Sequence, residues 1–401
     1  MGDDRHGRGP TARTARWRRA ALVVGAALVA ASCSPLRDVQ TLASDAMAGR
    51  DNGSEGSARA REHIVDRLRD FSVGLDPSRQ GDEAFLQPFA SGTNVLGLIP
   101  GRELPDEYVI VGAHYDHTGS RCEAVSETDQ VCNGATDNAT GVASVLAVGE
   151  HLAQLHGGPR RSVVLALWDA EEDGLRGSRA YVDAPLVPLD QTVAYVNLDI
   201  QGANLLPGLR DTTFAVAAET GGSRLVSAVA SATGRGPLDT LQLSSTFGQS
   251  RSDYINFIDE EVPTVFFSDS TGPCYHHAQD DASVVDVLKL MRQIRNATRL
   301  TVDLVEGDER PTFTPGTQLA TYADAVALQV IGERAAADLG RFTPAQQERL
   351  QLARANVDRV VAEGPEAFGA DDVLTILNGA ASSISIFTTG PCDGFNHPPG
   401  G

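Results

Sequence analysis

The sequence predicts an α/β fold, in which helices lie on both sides of a mainly parallel, mixed β-sheet, followed by a helical C-terminal appendage. The first observation is a set of short apolar runs rich in β-branched residues, which are typical of strands buried on both faces. These runs are Tyr108–Gly112, Ser162–Trp168, Val193–Leu198 and Pro263–Phe267. The second observation is that longer segments with helical spacing accompany them, as in Val142–Leu155 and Val284–Val305. Strands that alternate with helices predict parallel pairing, because each parallel connection needs a crossover.

The elements before these strands are shorter. Leu36–Met47 predicts a short helix, and a turn-rich segment, Gly49–Gly56, follows it. Ala58–Phe71 carries apolar residues at helical spacing and predicts a second helix. We expect residues 72–92 to be irregular, because they contain Gly and Pro.

The C-terminal part of the chain predicts a separate helical unit. Residues 306–316 combine Gly, Pro and charged residues, as linkers do, and residues 317–380 are expected to form a helical appendage. Thr343, followed directly by Pro and three residues later by Gln, indicates the start of a helix. The tail from Thr388 onwards is rich in Gly and Pro.

The N-terminus resembles an export signal. Arg residues precede an apolar run, Ala20–Ala31, which is shorter than the ~20 residues that a membrane-spanning helix needs. The segment ends in Ala30-Ala31-Ser32-Cys33, which resembles a bacterial lipoprotein signal whose Cys becomes the lipidated first residue. We expect a signal peptide at residues 1–33 and an exported protein, extracellular or in the cell envelope, anchored by a lipid on Cys33. Simple cleavage near Ala31 and a soluble product is the alternative.

The charge of the chain narrows its range of partners. The net charge is −20, which argues against nucleic acid because the phosphate backbone would be repelled. We expect contact with a membrane only through the lipid on Cys33.

The cysteines predict two disulfides. Besides Cys33, the chain has Cys122, Cys132, Cys274 and Cys392, and export permits disulfides to form. Four cysteines allow three pairings. We favour Cys122–Cys132 and Cys274–Cys392, with free thiols as the alternative.

Candidate metal ligands follow the ends of two predicted strands. Strand 108–112 leads to His114, a candidate zinc ligand, and to Asp116, which is placed to hold the other ring nitrogen of that imidazole. Strand 193–198 leads to Asp199. Ligands of open α/β sheets bind beyond the carboxyl ends of the strands. Taken alone, Asp199 is equally explained as a turn residue.

Two acidic positions follow in loops. Asp137 lies in the loop Asn133–Gly141, where its two oxygens could each serve one metal ion or simply cap the next helix. Strand 162–168 leads to Glu171 and Glu172, and adjacent carboxylates at a strand end are costly unless a positive charge compensates them. One Glu could bind a metal while the other acts as a general base. A solvated acidic loop is the alternative.

The last predicted strand leads to Tyr275 and His276. His276 is a candidate ligand that Asp280 could orient, and Tyr275 could donate a hydrogen bond to a developing oxyanion. A surface loop with solvated histidines would explain the same residues.

In this order along the chain, the motifs resemble peptidase family M28. They are G-A-H-Y-D-H, N-G-A-x-D-N-A-x-G, an E-E pair, N-L-D and Y-H-x-x-x-D. The resemblance runs from about Leu42 to Val305 and includes Ser44–Arg50. It implies the zinc-dependent exopeptidase fold, also described as phosphorylase/hydrolase-like. An M28-type metallopeptidase domain would then span residues 34–308, with a helical extension and flexible tail at residues 309–401.

The resemblance also implies two zinc ions per chain. Asp137 would bridge them. His114 and Asp199 would complete one site, and Glu172 and His276 would complete the other.

The remaining roles concern catalysis. Glu171 would be the general base for a metal-bound hydroxide, Asp116 would support His114, and Tyr275 would stabilise the transition state. The peptide bond after Asp137 is expected to be cis in this family.

The implied function is hydrolysis of the N-terminal peptide bond of peptides with free N-termini. The alternatives are a carboxypeptidase or dipeptidase of the same family, a single-zinc glutaminyl cyclase, or a non-catalytic peptidase-like binding module. Asn138 stands where the family often has a second Asp, and Tyr254 replaces a frequent His. These departures leave the metal ligands in place and the substrate preference open.

Overall fold

A nine-stranded mixed sheet forms the centre of the molecule. The structure is a computed structural model, and it describes residues 35–122, 129–315 and 319–392. The strands are β1 (Val73–Gly74), β2 (Leu86–Phe89), β3 (Gly92–Ile99), β4 (Leu104–His114), β5 (Arg161–Trp168), β6 (Thr192–Leu198), β7 (Thr212–Val216), β8 (Asp239–Leu243) and β9 (Thr264–Ser268).

Ten α-helices within the described ranges accompany the sheet. The first, α1, covers residues 35–42. The others are α2 (Glu55–Arg69), α3 (Thr140–Ala153), α4 (Arg176–Asp183), α5 (Gly222–Thr233), α6 (Tyr254–Asp259), α7 (Val287–Glu306), α8 (Tyr322–Ala335), α9 (Pro344–Glu363) and α10 (Ala370–Phe387).

Parallel pairing is concentrated in the middle of the sheet. The neighbours β5, β4, β6 and β9 are parallel to one another, as are β7 and β8. Antiparallel pairs occur where β3 joins β5 and where β7 joins β9. Every residue of β5 and β6 is buried, as expected for strands with helices on both faces. The predicted α/β fold with a mixed sheet is confirmed.

Several strands on either side of the parallel centre were not predicted. Residues 72–92, expected to be irregular, contain β1 and β2, and β3, β7 and β8 were missed as well. These strands are short or partly exposed, and only Leu243 of β8 is buried. A short strand with one buried residue lacks a long apolar run, so its pairing depends on neighbours that are distant in sequence.

Strand register brings the predicted site residues to one edge of the sheet. His114 at the end of β4 pairs with Trp168 at the end of β5. Gly112 of β4 pairs with Asn197 near the end of β6. The loops that follow β5 and β6 therefore emerge beside His114, at the carboxyl edge of the parallel strands.

The predicted helical appendage is present as α8, α9 and α10. Thr343 caps α9 in a capping box with Gln346, as its sequence predicted. The last helix extends to Phe387, seven residues beyond the predicted end at residue 380. The domain boundaries themselves stay predictions.

Both favoured disulfides, Cys122–Cys132 and Cys274–Cys392, are formed. The predicted signal peptide and the lipid-bearing Cys33 lie outside the described residues. Within the part of the chain that the structure describes, no helix combines the length and apolar character needed to cross a bilayer.

Candidate metal centre

Asp137 lies at the centre of a buried cluster of histidine and carboxylate side chains. Its Oδ1 lies 3.2 Å from Nε2 of His114. Its Oδ2 lies 3.3 Å from Nε2 of His276. One carboxylate therefore presents an oxygen to each of two donor groups, which is the arrangement needed to bridge two metal ions.

The first donor group contains His114, Glu171 and Asp199, whose ligand atoms lie within 4.8 Å of one another. Nε2 of His114 is 3.3 Å from Oδ1 of Asp199. The other oxygen of Asp199 accepts a 2.7 Å hydrogen bond from the hydroxyl of Ser252. This bond holds the carboxylate so that Oδ1 faces the imidazole.

The second donor group contains His117, Asp137, Glu172 and His276. Nε2 of His276 lies 2.9 Å from Oε2 of Glu172. Nδ1 of His117 lies 2.8 Å from Oε1 of the same carboxylate. Nitrogen and carboxylate donors in this number are the ligands that zinc prefers in proteins. The structure thus brings all five predicted metal ligands into one cluster.

The loop that carries Asp137 requires a glycine at position 134. Gly134 has a φ of +54°, a conformation that L side chains rarely adopt. A Cβ at this position would lie 2.3 Å from the carbonyl oxygen of Asp137 and 2.5 Å from the ring of His117. The absence of a side chain therefore allows these two groups to approach each other.

Asn138 ties the same loop to the end of β6. Its Nδ2 donates a 3.0 Å hydrogen bond to the carbonyl oxygen of Leu198, and its Oδ1 accepts one from the backbone N–H of Gly141. An ionised Asp could not donate the first bond. The amide thus fixes Asp137 relative to Asp199, which directly follows Leu198. The expected cis peptide bond between Asp137 and Asn138 is present.

Asp280 has a different role from the predicted one. We expected it to orient His276, but its carboxylate accepts hydrogen bonds from the backbone N–H groups of Thr136 and Asp137 and from the hydroxyl of Thr136. These bonds hold the backbone of the bridging residue. The contact could not be predicted from local sequence patterns, because its partners are more than 140 residues apart in the chain.

Asp116 lies against the other ring nitrogen of His114, with its backbone carbonyl nearer than its carboxylate. Nδ1 of His114 lies 3.1 Å from the carbonyl oxygen of Asp116 and 3.6 Å from its Oδ1. The carboxylate accepts hydrogen bonds from the backbone N–H groups of Glu171 and Glu172. The carbonyl is therefore placed to fix the imidazole, while the carboxylate fixes the loop that carries both glutamates.

The carboxylates of the cluster differ in their affinity for protons. Burial raises the pKa of Glu171 well above its ordinary value, and the nearby carboxylates of Asp199 and Asp253 raise it further. Burial also acts on Asp137, but His114 and His276 outweigh it and hold the pKa of Asp137 well below its ordinary value. Carboxylates whose pKa values are pushed apart are typical of sites with separate acid–base and charge-holding roles.

The second donor group fits a metal ion because it leaves buried polar atoms without hydrogen bonds. Oδ2 of Asp137 and Nε2 of His276 are buried and make no hydrogen bond with acceptable geometry, although they lie only 3.3 Å apart. An unsatisfied buried polar group costs about 1–3 kcal/mol. Coordination of a metal ion would satisfy both atoms.

Tyr275 lies beside the cluster. Its ring stacks on that of His276, with centroids 3.9 Å apart. It lines the same cavity as Asp137, Glu171 and Asp199. Burial raises the pKa of Tyr275 and the nearby carboxylate of Asp137 raises it further, so the hydroxyl keeps its proton at neutral pH.

Sequence reasoning missed His117. This residue is the second histidine of the H-Y-D-H motif, and it is fully buried against Glu172 and Asp137. Its side chain makes the second donor group one residue larger than predicted. A repeated histidine three residues after a predicted ligand was the available signal.

Replacing His117 by Ala is expected to lower zinc affinity at the second donor group by about 10–100-fold, because the variant loses a partner that holds Glu172. A competition titration against a chelating dye would measure the affinity. His156→Ala, at an exposed position, is the control and should bind zinc as the wild type does. Unchanged affinity in His117→Ala would show that His117 only packs beside the site.

The chain belongs to peptidase family M28, because residues 94–301 match the model of that family. This confirms the resemblance that the motifs carried. The matched residues include every predicted metal ligand, from His114 to His276.

The similar curated proteins are named for different activities. Over 200 residues the chain is 32% identical to a probable glutamate carboxypeptidase, LAMP1, of Arabidopsis thaliana. This alignment covers 47% of this chain and 27% of the relative. Over 115 residues it is 38% identical to the aminopeptidase NAALADL1 of Mus musculus. This second alignment covers 27% of this chain and 14% of the relative. The chain thus spans under a third of the length of these relatives.

The fold is also that of a solved aminopeptidase. The LapA aminopeptidase of Legionella pneumophila aligns with a TM-score of 0.54 and 15% identity, over 69% of this chain and 73% of that one. At this level of identity the likeness concerns the fold alone.

Proposed function

We propose that this chain is a co-catalytic two-zinc exopeptidase that hydrolyses the N-terminal peptide bond of peptides. The observation that carries the proposal is the orientation of Asp137, whose two oxygens face His114 on one side and His276 on the other. His114 and Asp199 would hold one zinc ion, and Glu172 and His276 would hold the second. His117 would add a donor, or hold Glu172, at the second ion.

A pair of zinc ions supplies Lewis-acid polarisation of the scissile carbonyl and lowers the pKa of a water toward ~7. The chain itself supplies the proton transfer. Glu171 is buried beside the first donor group and would accept a proton from the attacking water, then return it to the leaving amine. Nearby cations would lower the raised pKa of Glu171 and favour its basic form.

Tyr275 would act on the oxyanion. Its hydroxyl keeps its proton at neutral pH, because burial raises its pKa. A donor held beside the cluster strengthens its hydrogen bond as negative charge develops on the carbonyl oxygen.

We propose a free N-terminus as the substrate's recognition group because the resemblance to the family implies recognition of a free amine. The charge of the cluster alone does not select it. Asp137, Glu171, Glu172 and Asp199 place four carboxylates in one cleft, but two bound zinc ions would offset their negative charge.

The test combines zinc counting with a panel of blocked peptides. The zinc-loaded protein is expected to hold two ions per chain and to cleave peptides with free N-termini, but not their N-acetylated forms. Dialysis against a chelator should abolish this activity, and added zinc should restore it.

Other outcomes would replace the proposal with a named alternative. Cleavage of N-acetylated peptides that stops when the C-terminus is amidated would indicate a carboxypeptidase. Cleavage of dipeptides only would indicate a dipeptidase. One zinc ion per chain with cyclisation of N-terminal Gln would indicate a glutaminyl cyclase, and bound peptide without turnover would indicate a binding module.

We also propose that the protein acts outside the cytoplasm, held at the cell envelope by a lipid on Cys33. The sequence up to Cys33 supports this proposal. The two disulfides are consistent with it, because disulfides persist mainly in oxidising compartments.

A further inference from the structure

A large apolar cavity opens directly onto the candidate metal centre. Its volume is about 350 Å³, and Asp137, Glu171 and Asp199 form part of its wall. An apolar cavity of about 150 Å³ already accommodates benzene. The space beside Glu171 is therefore large enough for an aromatic or branched aliphatic side chain.

The peptidase domain supplies one side of this cavity. Apolar side chains from the ends of β7, β8 and β9 line it, together with residues of the loops that follow the strands. They include Phe214, Val216, Leu243, Phe247 and Phe266.

The C-terminal helices supply the opposite side. Lining residues come from α8, α9 and α10, and many of them are small, which leaves room between the helices. They include Gly332, Ala335, Ala353, Gly379 and Ala380. These helices lie beyond residue 301, where the match to the family ends, so this wall is a feature of the chain's own extension.

Polar and covalent links fix the wall in place. Asp324 of α8 accepts hydrogen bonds from the backbone N–H and the hydroxyl of Ser244. Asp338, just after α8, accepts one from the backbone N–H of Gly208. The Cys274–Cys392 disulfide joins the chain beyond α10 to the residue before Tyr275. The wall is thus held at several points to the part of the chain that carries the site.

We infer that α8, α9 and α10 complete a binding pocket for a large apolar side chain of the substrate residue whose carbonyl lies at the metal centre. This inference rests on the proposed function, in which that residue is the N-terminal one. The lining is mainly apolar, so desolvation of an apolar side chain is favourable there. A charged side chain would lose hydration against this mainly apolar lining.

Two arginines border the cavity without changing this preference. Nε of Arg354 lies 3.6 Å from a carboxylate oxygen of Asp358 on the same helix, so a nearby carboxylate offsets its charge. Arg251 is exposed, and solvent screens its charge. Leu, Phe and Met at the substrate N-terminus are therefore expected to be preferred over Ala, Gly and Glu.

The experiment replaces small residues of the helical wall by Leu, which reduces the volume of the cavity. In Ala380→Leu, kcat/KM for Leu- and Phe-nitroanilide should fall by about 10-fold or more, whereas kcat/KM for Ala-nitroanilide should stay within about two-fold. Ala381→Leu makes the same change at the next, exposed position of α10, and should leave all three values unchanged. Ser383→Leu, which also lines the cavity, provides a second narrowing variant if Ala380→Leu does not fold.

The outcomes separate this inference from the proposed function. A wild-type preference for Ala or Glu substrates, or an equal loss on all substrates in both narrowing variants, would overturn the inference while aminopeptidase activity stands. If the zinc-loaded protein cleaves no free N-terminus, calorimetry with leucinamide, phenylalaninamide and alaninamide tests the pocket directly. Tighter binding of the two larger amides, lost in Ala380→Leu, would support it, and equal binding of all three would overturn it.

Discussion

Replacing Glu171 by Gln is expected to lower kcat by about 10³-fold, within the range of general acid–base catalysis, while the protein keeps both zinc ions. Gln matches the shape of Glu but cannot accept a proton from water. Steady-state kinetics on a free-N-terminal peptide would measure the first effect. Metal analysis of the purified variant would measure the second.

The neighbouring glutamate provides the contrast. Glu172→Gln should lose zinc from the second donor group as well as activity, because Glu172 lies against both His117 and His276. Glu366→Gln, at an exposed position of the appendage, should behave as the wild type. Full activity of Glu171→Gln would refute its role as the base. Loss of zinc from that variant would instead make Glu171 a ligand of the first group.

Replacing Arg50 by Met is expected to lower the free energy of unfolding by about 3–5 kcal/mol, because removing one partner leaves buried polar groups unpaired. Arg50 is fully buried. Its guanidinium donates hydrogen bonds to the backbone carbonyls of Leu42, Tyr115, Asn133 and Gly134. Three chain segments therefore depend on this one side chain, and two of them carry His114 and Asp137.

Arg50 remains charged at neutral pH and adds an electrostatic effect. Burial lowers its pKa to about 10, against the opposing effect of Asp116, Asp137 and other carboxylates of the cluster. The same cation partly compensates their negative charge. Met fills a similar volume but supplies neither charge nor donors.

Urea unfolding followed by circular dichroism would measure the effect of Arg50→Met. Arg59→Met is the matched control, because Arg59 makes an exposed pair with Glu55 at 3.4 Å, and exposed pairs contribute about 0–1 kcal/mol. If Arg50→Met stayed within about 1 kcal/mol of the wild type, the four carbonyls would have found other partners.

Each predicted ligand position followed from its place after a predicted strand or within a loop. His114 and Asp199 come directly after apolar runs, and parallel strands end at one edge of a sheet. The order of the motifs then distinguished a metal cluster from turn residues and helix caps. For this reason the class of fold and the convergence of these five residues could be predicted without coordinates, and their role as metal ligands stays a prediction. The disulfides were favoured among three possible pairings, and both are formed.

The contacts that hold the ligands could not be predicted in this way. Asp280 holds the backbone of Asp137 from more than 140 residues away. The ring of His117 packs against Gly134, where a Cβ would lie 2.5 Å from it. Edge strands such as β8 lack a long apolar run. Their existence depends on the neighbours they pair with.

The sequence by itself determined which residues form the candidate metal centre, because residue type and position relative to a strand end decide which side chains can reach the carboxyl edge of the sheet. Only the tertiary structure decided how those side chains are held and what lies beside them. The apolar cavity is bounded by β7, β8 and β9 on one side and by α8, α9 and α10 on the other. Space between elements that are distant in the chain is a property of packing, and no local pattern encodes it.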